Sequence, residues 1–348
     1  MRAEKESCEG DITVQEVEKI KKAMMKNKSA GIDGIPAEFW QKFGFTDGWL
    51  AEVFNAAVQR GKMTDSKDGS GEIDIQKDER NLMSNYRPIS LLCTDYKLLA
   101  KIVTERMKPV LNSVIEMDQQ GFIQGGDITG NLILVKEIIE YCNESNTEGA
   151  MLMMDFKKAY DRVNRETMMR TLETMNFGEG FRRIVKTLYT EVGARVEVNG
   201  QMTAEIMTGG GVRQGCPLSP YLFICVLELM AIEIRKREDV KGIIEPISGR
   251  ETKISLFADD AMIFLSKPKE QTINAREGMR KYENVSASQI HDGKTMVMAI
   301  GATRQQNLTK EQLGVKFKIL KDQDIERHLG DLIGNVEKKT GSRRRWKI

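Results

Sequence analysis

The stretch KISLFADDAMIFL, residues 253 to 265, constrains the fold more than any other. Two apolar, strand-like runs, Ile254 to Phe257 and Met262 to Leu265, are joined through Ala258-Asp259-Asp260-Ala261. Runs rich in Ile, Phe and Leu around a turn signal read as a hairpin. A doubled aspartate is unremarkable at a turn that faces water. Between buried strands it is costly, because two carboxylates about 4 Å apart repel by roughly 4 kcal/mol at an effective dielectric of 20. Either the pair is solvated or something positive stands beside it.

Two further stretches gain meaning beside this hairpin. AMLMMDF, residues 150 to 156, is a continuous apolar run closed by Asp155, which reads as a fully buried strand. GGGVRQGCPLSPYLF is a glycine-rich loop feeding a helix, with Ser219 expected as its cap and Pro220 as its first residue. Each alone has a bland reading: a solvated strand end, a turn, a surface hairpin. Taken together, Asp155 and Asp259 can meet if their strands are sheet neighbours. Such hard oxygen ligands suit Mg²⁺, commonly held by one or two carboxylates plus substrate phosphates. Two ions roughly 3.5–4 Å apart can activate an attacking oxygen and stabilise a leaving one. Metal would then neutralise the carboxylate cluster.

Composition removes the competing chemistries. With only two histidines, His291 and His328, a histidine triad has almost no material. The five cysteines, at 8, 93, 142, 216 and 225, have no Cys-x-x-Cys spacing. A zinc site or disulfide partner is therefore not expected, and a reducing, intracellular setting in nucleus or cytoplasm fits. No apolar stretch is long enough to span a bilayer and Met1 to Gly10 is too charged for a signal peptide, so no membrane association is expected. The net charge of +2 hides local basic runs, Glu18 to Lys28 and Arg343 to Lys347. These are either solvated faces or contacts to a nucleic-acid backbone.

Element signals alternate between helix and strand. Thr13-Val14-Gln15-Glu16 is a capping-box pattern with Ile12 and Val17 as a hydrophobic staple, and Val17, Ile20 and Met24 form a stripe. A short helix is expected from Pro36, a longer one from Thr94, others over about 130–142 and from Asn164 to Met175. Residues 61 to 85 read as the least ordered part. ARVEVNGQMTAEI alternates around Asn199-Gly200, a strong hairpin signal. Strands interleaved with helices and hairpins give an α+β fold rather than a regular βαβ series.

The order of GIDGIP, NYRPISLL, GFIQGGDI, MMDFKKAYDRV, GVRQGCPLSP, LFADDA, GKT and HLGDLIG resembles the reverse transcriptase domain of non-LTR (LINE-type) retrotransposons. The resemblance runs from about Gly31 to Gly334. It implies a right-hand polymerase with fingers and an antiparallel palm sheet packed by helices, adding deoxynucleotides to a DNA 3′-hydroxyl on an RNA template. It implies Asp155, Asp259 and Asp260 as catalytic metal ligands with the Phe156 carbonyl, two Mg²⁺ ions (Mn²⁺ substituting), an RNA template, a DNA primer and deoxynucleoside triphosphates as partners. By the same resemblance Tyr160 gates the sugar, Arg87 contacts the triphosphate, and Gln214 and Gly215 line the nascent base pair. Lys294 stands near the departing pyrophosphate, and HLGDLIG matches the primer grip.

Two stretches depart from the family pattern. Before Arg87 a lysine pair followed by Gly-Asp is replaced by IQKDER, leaving Lys77 alone, and after GFI the expected Pro-Gly-Arg is Gln124-Gly125-Gly126. The expected organisation is a helical extension over 1–30, the polymerase domain over 31–335 and a basic tail over 336–348, with the thumb missing. The chain is thus expected to be a truncated copy. A degenerate fragment that at most binds RNA is the rival reading. A nucleotide cyclase shares paired acids but leaves GVRQGCPLSP and Arg87 unexplained.

Overall fold

The structure, a computed structural model, describes residues 8–63, 69–75, 86–198, 201–245, 249–321 and 324–334. Helices α1 (Val14–Lys22), α2 (Ala37–Lys42) and α3 (Thr46–Arg60) precede strands β1 (Gly69–Ile75) and β2 (Tyr86–Leu91). Next come α4 (Thr94–Leu111), α5 (Ile128–Ser145), β3 (Glu148–Met154), α6 (Arg165–Thr174) and α7 (Glu179–Tyr189). Short strands β4 (Gly193–Val198), β5 (Gln201–Met202) and β6 (Ile206–Met207) lead to α8 (Ser219–Lys236). The remainder holds β7 (Ile243–Ile244), β8 (Glu251–Thr252), β9 (Ile254–Phe257), β10 (Asp260–Leu265) and α9 (Pro268–Ser286). It closes with β11 (Met296–Gly301), α10 (Lys310–Leu313), β12 (Lys318–Ile319), β13 (Ile325–His328) and β14 (Asp331–Gly334).

The central sheet runs β12-β11-β3-β10-β9, antiparallel except where β12 joins β11. It is buried on both faces, which explains the unbroken apolar run of β3. Ala150, Leu152 and Met154 enter the larger core with Leu222, Phe223 and Val226 of α8. Met151 and Met153 turn the other way, toward Val135, Ile138 and Cys142 of α5. Period-2 alternation thus distributes one apolar segment between two cores. Each fully buried side chain of this size contributes about 1.5–3 kcal/mol.

A second sheet runs β2-β1-β4-β5 with β6 on β4, and its strand β1 lies in the stretch expected to be least ordered. Gly69–Ile75 is a strand there because β2 pairs with it antiparallel and β4 parallel. Its backbone partners hold it extended. The rest of that stretch, 64–68 and 76–85, lies outside the described residues, as does the 336–348 tail. The first helix carries the expected capping box, Thr13 with Glu16, and buries Ile12 and Val17. Pro36 proves to be the N-cap of α2 rather than its first residue.

At α8 the cap is Leu218, and Ser219 is the first helical residue. Its hydroxyl is 3.0 Å from the buried Tyr189 phenol, a partner that phenol requires away from water. The ARVEVNGQ hairpin forms, Val198 pairing with Gln201 around two residues outside the description. All five cysteines are buried, and none is in a disulfide. Among the described residues no helix is long and apolar enough to cross a membrane.

Candidate active site

The site grows from the ends of three neighbouring strands. The last β3–β10 pair is Met154 with Ala261, and the last β3–β11 pair is Met153 with Met296. Continuing both registers past the strand ends sets Asp155 between Asp260 on one side and Lys294 on the other. Directly opposed residues of an antiparallel ladder share a face, about 4.5–5.5 Å apart at Cβ. The Lys294 ammonium lies 4.0 Å from the Asp155 carboxylate. Both are partly exposed, so this contact is worth at most about 1 kcal/mol on its own.

Asp259 sits in the two-residue turn Ala258-Asp259 that joins β9 to β10, since Phe257 pairs with Asp260. Asp259 and Asp260 are exposed and Asp155 is half-buried. The surrounding protein strips part of the hydration of Asp260; with the charges of Asp259 and then Asp155, this pushes its carboxyl up to about 6. The pair is solvated, yet its charges still disfavour one another.

The segment after Asp155 is pinned to residues 289–295. His291 N–H donates to the Asp155 carbonyl at 2.7 Å, Lys157 N–H to the Gln289 carbonyl at 2.8 Å, and Asp155 N–H to Thr295 Oγ1 at 3.3 Å. This is a narrow antiparallel bridge between Phe156 and Ile290. It leaves the Phe156 carbonyl on the edge away from residues 289–291. The Phe156 ring packs edge-on against Phe223 and Tyr282. Tyr160, half-buried, stacks on Phe223, and burial followed by the charge of Asp259 pushes its phenol up.

The other expected site residues lie on separate elements. Gln214 donates its side-chain amide to Asp161 at 3.3 Å, and its carbonyl accepts from Ser90 N–H at 3.3 Å. Gly215 has φ +97, and a Cβ there would sit 2.7 Å from the Ser90 carbonyl oxygen, so only glycine fits. Arg87 lies on β2 opposite Asp74. Lys77 lies outside the described residues. HLGDLIG forms the β13–β14 hairpin, with Leu329 and Gly330 both at positive φ as a two-residue loop of this hand requires. An ion pair from Lys136 of α5 to Asp331 ties it to the body.

Sequence reasoning missed Arg165. Its guanidinium donates to the carbonyls of Tyr189, Thr208, Gly210 and Gly211 and to the Thr208 hydroxyl. It thereby fixes the glycine-rich loop to α6. A cation in the first turn of a helix opposes the macrodipole, which was the signal available in the sequence.

The donor set, three carboxylates and a carbonyl, fits a hard divalent cation. A tighter group exists elsewhere. Asp33, Cys93 and Asp95 have donor atoms within 4.8 Å of one another, closer than the three site aspartates come. Burial pushes the Cys93 thiol up to about 11, however, and a protonated thiol is a poor ligand.

The chain matches the family described as "Reverse transcriptase (RNA-dependent DNA polymerase)" over residues 75–319. It is 32% identical over 302 residues to the "Transposon TX1 uncharacterized 149 kDa protein" of Xenopus laevis, covering 86% of this chain and 23% of that one. It is 25% identical over 181 residues to the "Retrovirus-related Pol polyprotein from type-1 retrotransposable element R2" of Popillia japonica, covering 52% and 25%. To the "Probable RNA-directed DNA polymerase from transposon BS" of Drosophila melanogaster it is 23% identical over 224 residues, covering 61% and 24%. The chain spans about a quarter of the length of these curated relatives. With two acid-bearing strands paired in one sheet and the match running from β1 to β12, this chain belongs to the reverse transcriptase family, in the branch carried by non-LTR retrotransposons.

Proposed function

We propose that this chain carries the nucleotidyl-transfer centre of an RNA-directed DNA polymerase, with the β12-β11-β3-β10-β9 sheet as palm and the β2-β1-β4 sheet within the fingers. One observation carries the reading: the strand register sets Asp155 opposite Asp260, with Asp259 in the adjoining turn and Lys294 4.0 Å from Asp155. A mere structural cluster of acids would be neutralised by the protein itself. Here, among the described residues, the cation paired with Asp155 is an exposed lysine at the limit of ion-pair distance.

Asp155, Asp259, Asp260 and the Phe156 carbonyl would hold two Mg²⁺ ions. Bound there, Mg²⁺ supplies Lewis acidity to the attacking 3′-oxygen and charge compensation to the leaving phosphate. Lys294 presents positive charge to the departing pyrophosphate. Tyr160 bounds the sugar of the incoming deoxynucleotide, and the Gln214-Gly215 turn, rigid because of its backbone, bounds the base pair. Arg87 and Lys77 contribute phosphate contacts from the fingers. RNA template and DNA primer are the partners, which sets the work in nucleus or cytoplasm.

Primer extension by the purified chain on an RNA template, with Mg²⁺ or Mn²⁺, tests the reading. Incorporation that is lost in Asp155→Asn and Asp259→Asn supports it. A folded chain that adds no nucleotide with either metal refutes it and leaves a binding-only fragment.

A further inference from the structure

We propose that Gln119 positions Asp259 for metal binding by holding the strained turn that carries it, an inference that rests on the polymerase reading. Gln119 is 2% exposed and belongs to the connection between α4 and α5. Its Oε1 accepts from Gly121 N–H at 2.8 Å and from Ala258 N–H at 3.1 Å. Its Nε2 faces the Ala258 carbonyl at 3.4 Å. One side-chain amide therefore reads both ends of the residue immediately before Asp259.

That residue needs holding. Ala258 has φ +57, a left-handed conformation that costs an L-residue about 1–2 kcal/mol and that glycine would adopt freely. Unsupported, it relaxes toward negative φ and swings Asp259 with it. Gln119 supplies the amide-to-amide match that resists this. Gly121 contributes by what it lacks, since a Cβ there would lie 2.2 Å from the Ala258 nitrogen and push the turn outward.

The clamp is itself anchored. Leu256 N–H donates to the Asp118 carbonyl at 2.8 Å, and Gln120 N–H to the Leu256 carbonyl at 2.9 Å, so residues 118–120 run along the outer edge of β9. Arg235 of α8 grips the Asp118 carboxylate with bonds of 2.7 and 2.8 Å. A rigid helix thus sets Asp118, Asp118 sets Gln119, and Gln119 sets the peptide that aims Asp259. A buried amide serving only packing would spread its bonds among unrelated groups. This one directs them to Ala258 and to the glycine that abuts Ala258.

The test is Gln119→Met, of similar shape but without hydrogen bonds, in the full chain. Melting checks that it folds. Mn²⁺ affinity is read by electron paramagnetic resonance, single-nucleotide kcat and KM by primer extension, and Ala258 amide exchange by NMR. We expect Mn²⁺ affinity and kcat to fall about 10–100-fold, the loss typical of residues that orient metal ligands, with nucleotide KM little changed. Ala258 exchange should accelerate while Met262 exchange does not. Adding Ala258→Gly should return part of the affinity and of kcat, because glycine removes the strain that Gln119 opposes.

If Gln119→Met does not fold, Gln119→Asn keeps the amide but falls short of Ala258 and should show the same pattern. A folded variant with wild-type Mn²⁺ affinity and kcat overturns the proposal, as does a double variant that recovers nothing. A wild-type chain that binds no Mn²⁺ overturns the polymerase reading and the metal role together; faster Ala258 exchange in Gln119→Met would still establish the clamp.

Discussion

The ring of Tyr160 lies nearly parallel to that of Phe223, with centroids 5.1 Å apart and planes 12° apart. Phe223 is fully buried in α8, so the stack fixes Tyr160 against the rigid core while its phenol stays within the field of Asp259. With Tyr160 bounding the sugar as proposed, a ring so fixed cannot swing aside for a 2′-hydroxyl. Tyr160→Val should therefore raise ribonucleotide use relative to deoxyribonucleotide by about tenfold or more. Competition assays in an active preparation measure this, and an unchanged ratio would make Tyr160 ordinary core.

Metal should stabilise the chain. A ligand at 100 times its dissociation constant adds about 2.7 kcal/mol, so melting with Mg²⁺ and a nucleotide should lie above melting with EDTA. Asp155→Asn should remove the difference while keeping the fold. The response should also depend on pH. Asp260 is pushed up to about 6, so it holds a proton in the folded chain that it has lost in the unfolded one. Between about pH 4 and pH 6 the folded state binds more protons, and without metal its stability falls as pH rises. Metal affinity moves the opposite way, rising through pH 6 as Asp260 ionises. Equal Mg²⁺ stabilisation at pH 5 and pH 7.5 would contradict this.

Glu228 should impose a second, metal-independent pH dependence. It is 2% exposed, paired with Arg235, and its Oε2 has no hydrogen-bond partner among the described residues. Burial first, then the charges of Asp118 and Glu116 against the pull of Arg235, push its carboxyl up to about 7. The folded chain therefore holds this proton more tightly than the unfolded one. Stability should decline from about pH 5 to pH 7 and level off above, by at most about 3 kcal/mol. Glu228→Gln keeps an acceptor for Arg235 and loses the titration. Its melting temperature should change less over this range than wild type and exceed it at pH 8, as calorimetry in EDTA would show.

Arg165 should matter through shape as much as charge. Arg165→Lys keeps the cation but cannot span carbonyls from Tyr189 to Gly211 at once. Bonds to a charged donor contribute about 1.5–3 kcal/mol each and are not additive, so both Arg165→Ala and Arg165→Lys should destabilise by roughly 2–3 kcal/mol. Because Gln214 and Gly215 follow the anchored loop, nucleotide KM should rise in both. Denaturant midpoints and steady-state kinetics check the pair; a lysine variant equal to wild type would reduce Arg165 to a surface charge.

Much of this chain was legible in its sequence wherever one local rule decided the outcome. Thr13 and Glu16 cap α1, Asn164 caps α6, and the alternating segments around Asn199 pair as a hairpin because caps, turns and period-2 patterns act over a few residues. Asp155 was marked by closing an apolar run, and Asp259 and Asp260 by interrupting one; each alone has a bland reading, and it was their occurrence together with the glycine-rich loop that pointed to a site. What no local rule held was decided by contacts between distant residues. Gly69–Ile75 is a strand because β2 and β4 lie beside it, and Ser219 gives up its capping place to satisfy Tyr189. Arg165 reaches carbonyls up to 46 residues away, and Gln119 meets Ala258 across 139. Sequence determines which groups must find a partner, through the free energy of leaving a polar atom or an apolar surface unsatisfied. Only the packed fold determines which partner it is, because that depends on which strands lie side by side and how far each side chain can reach.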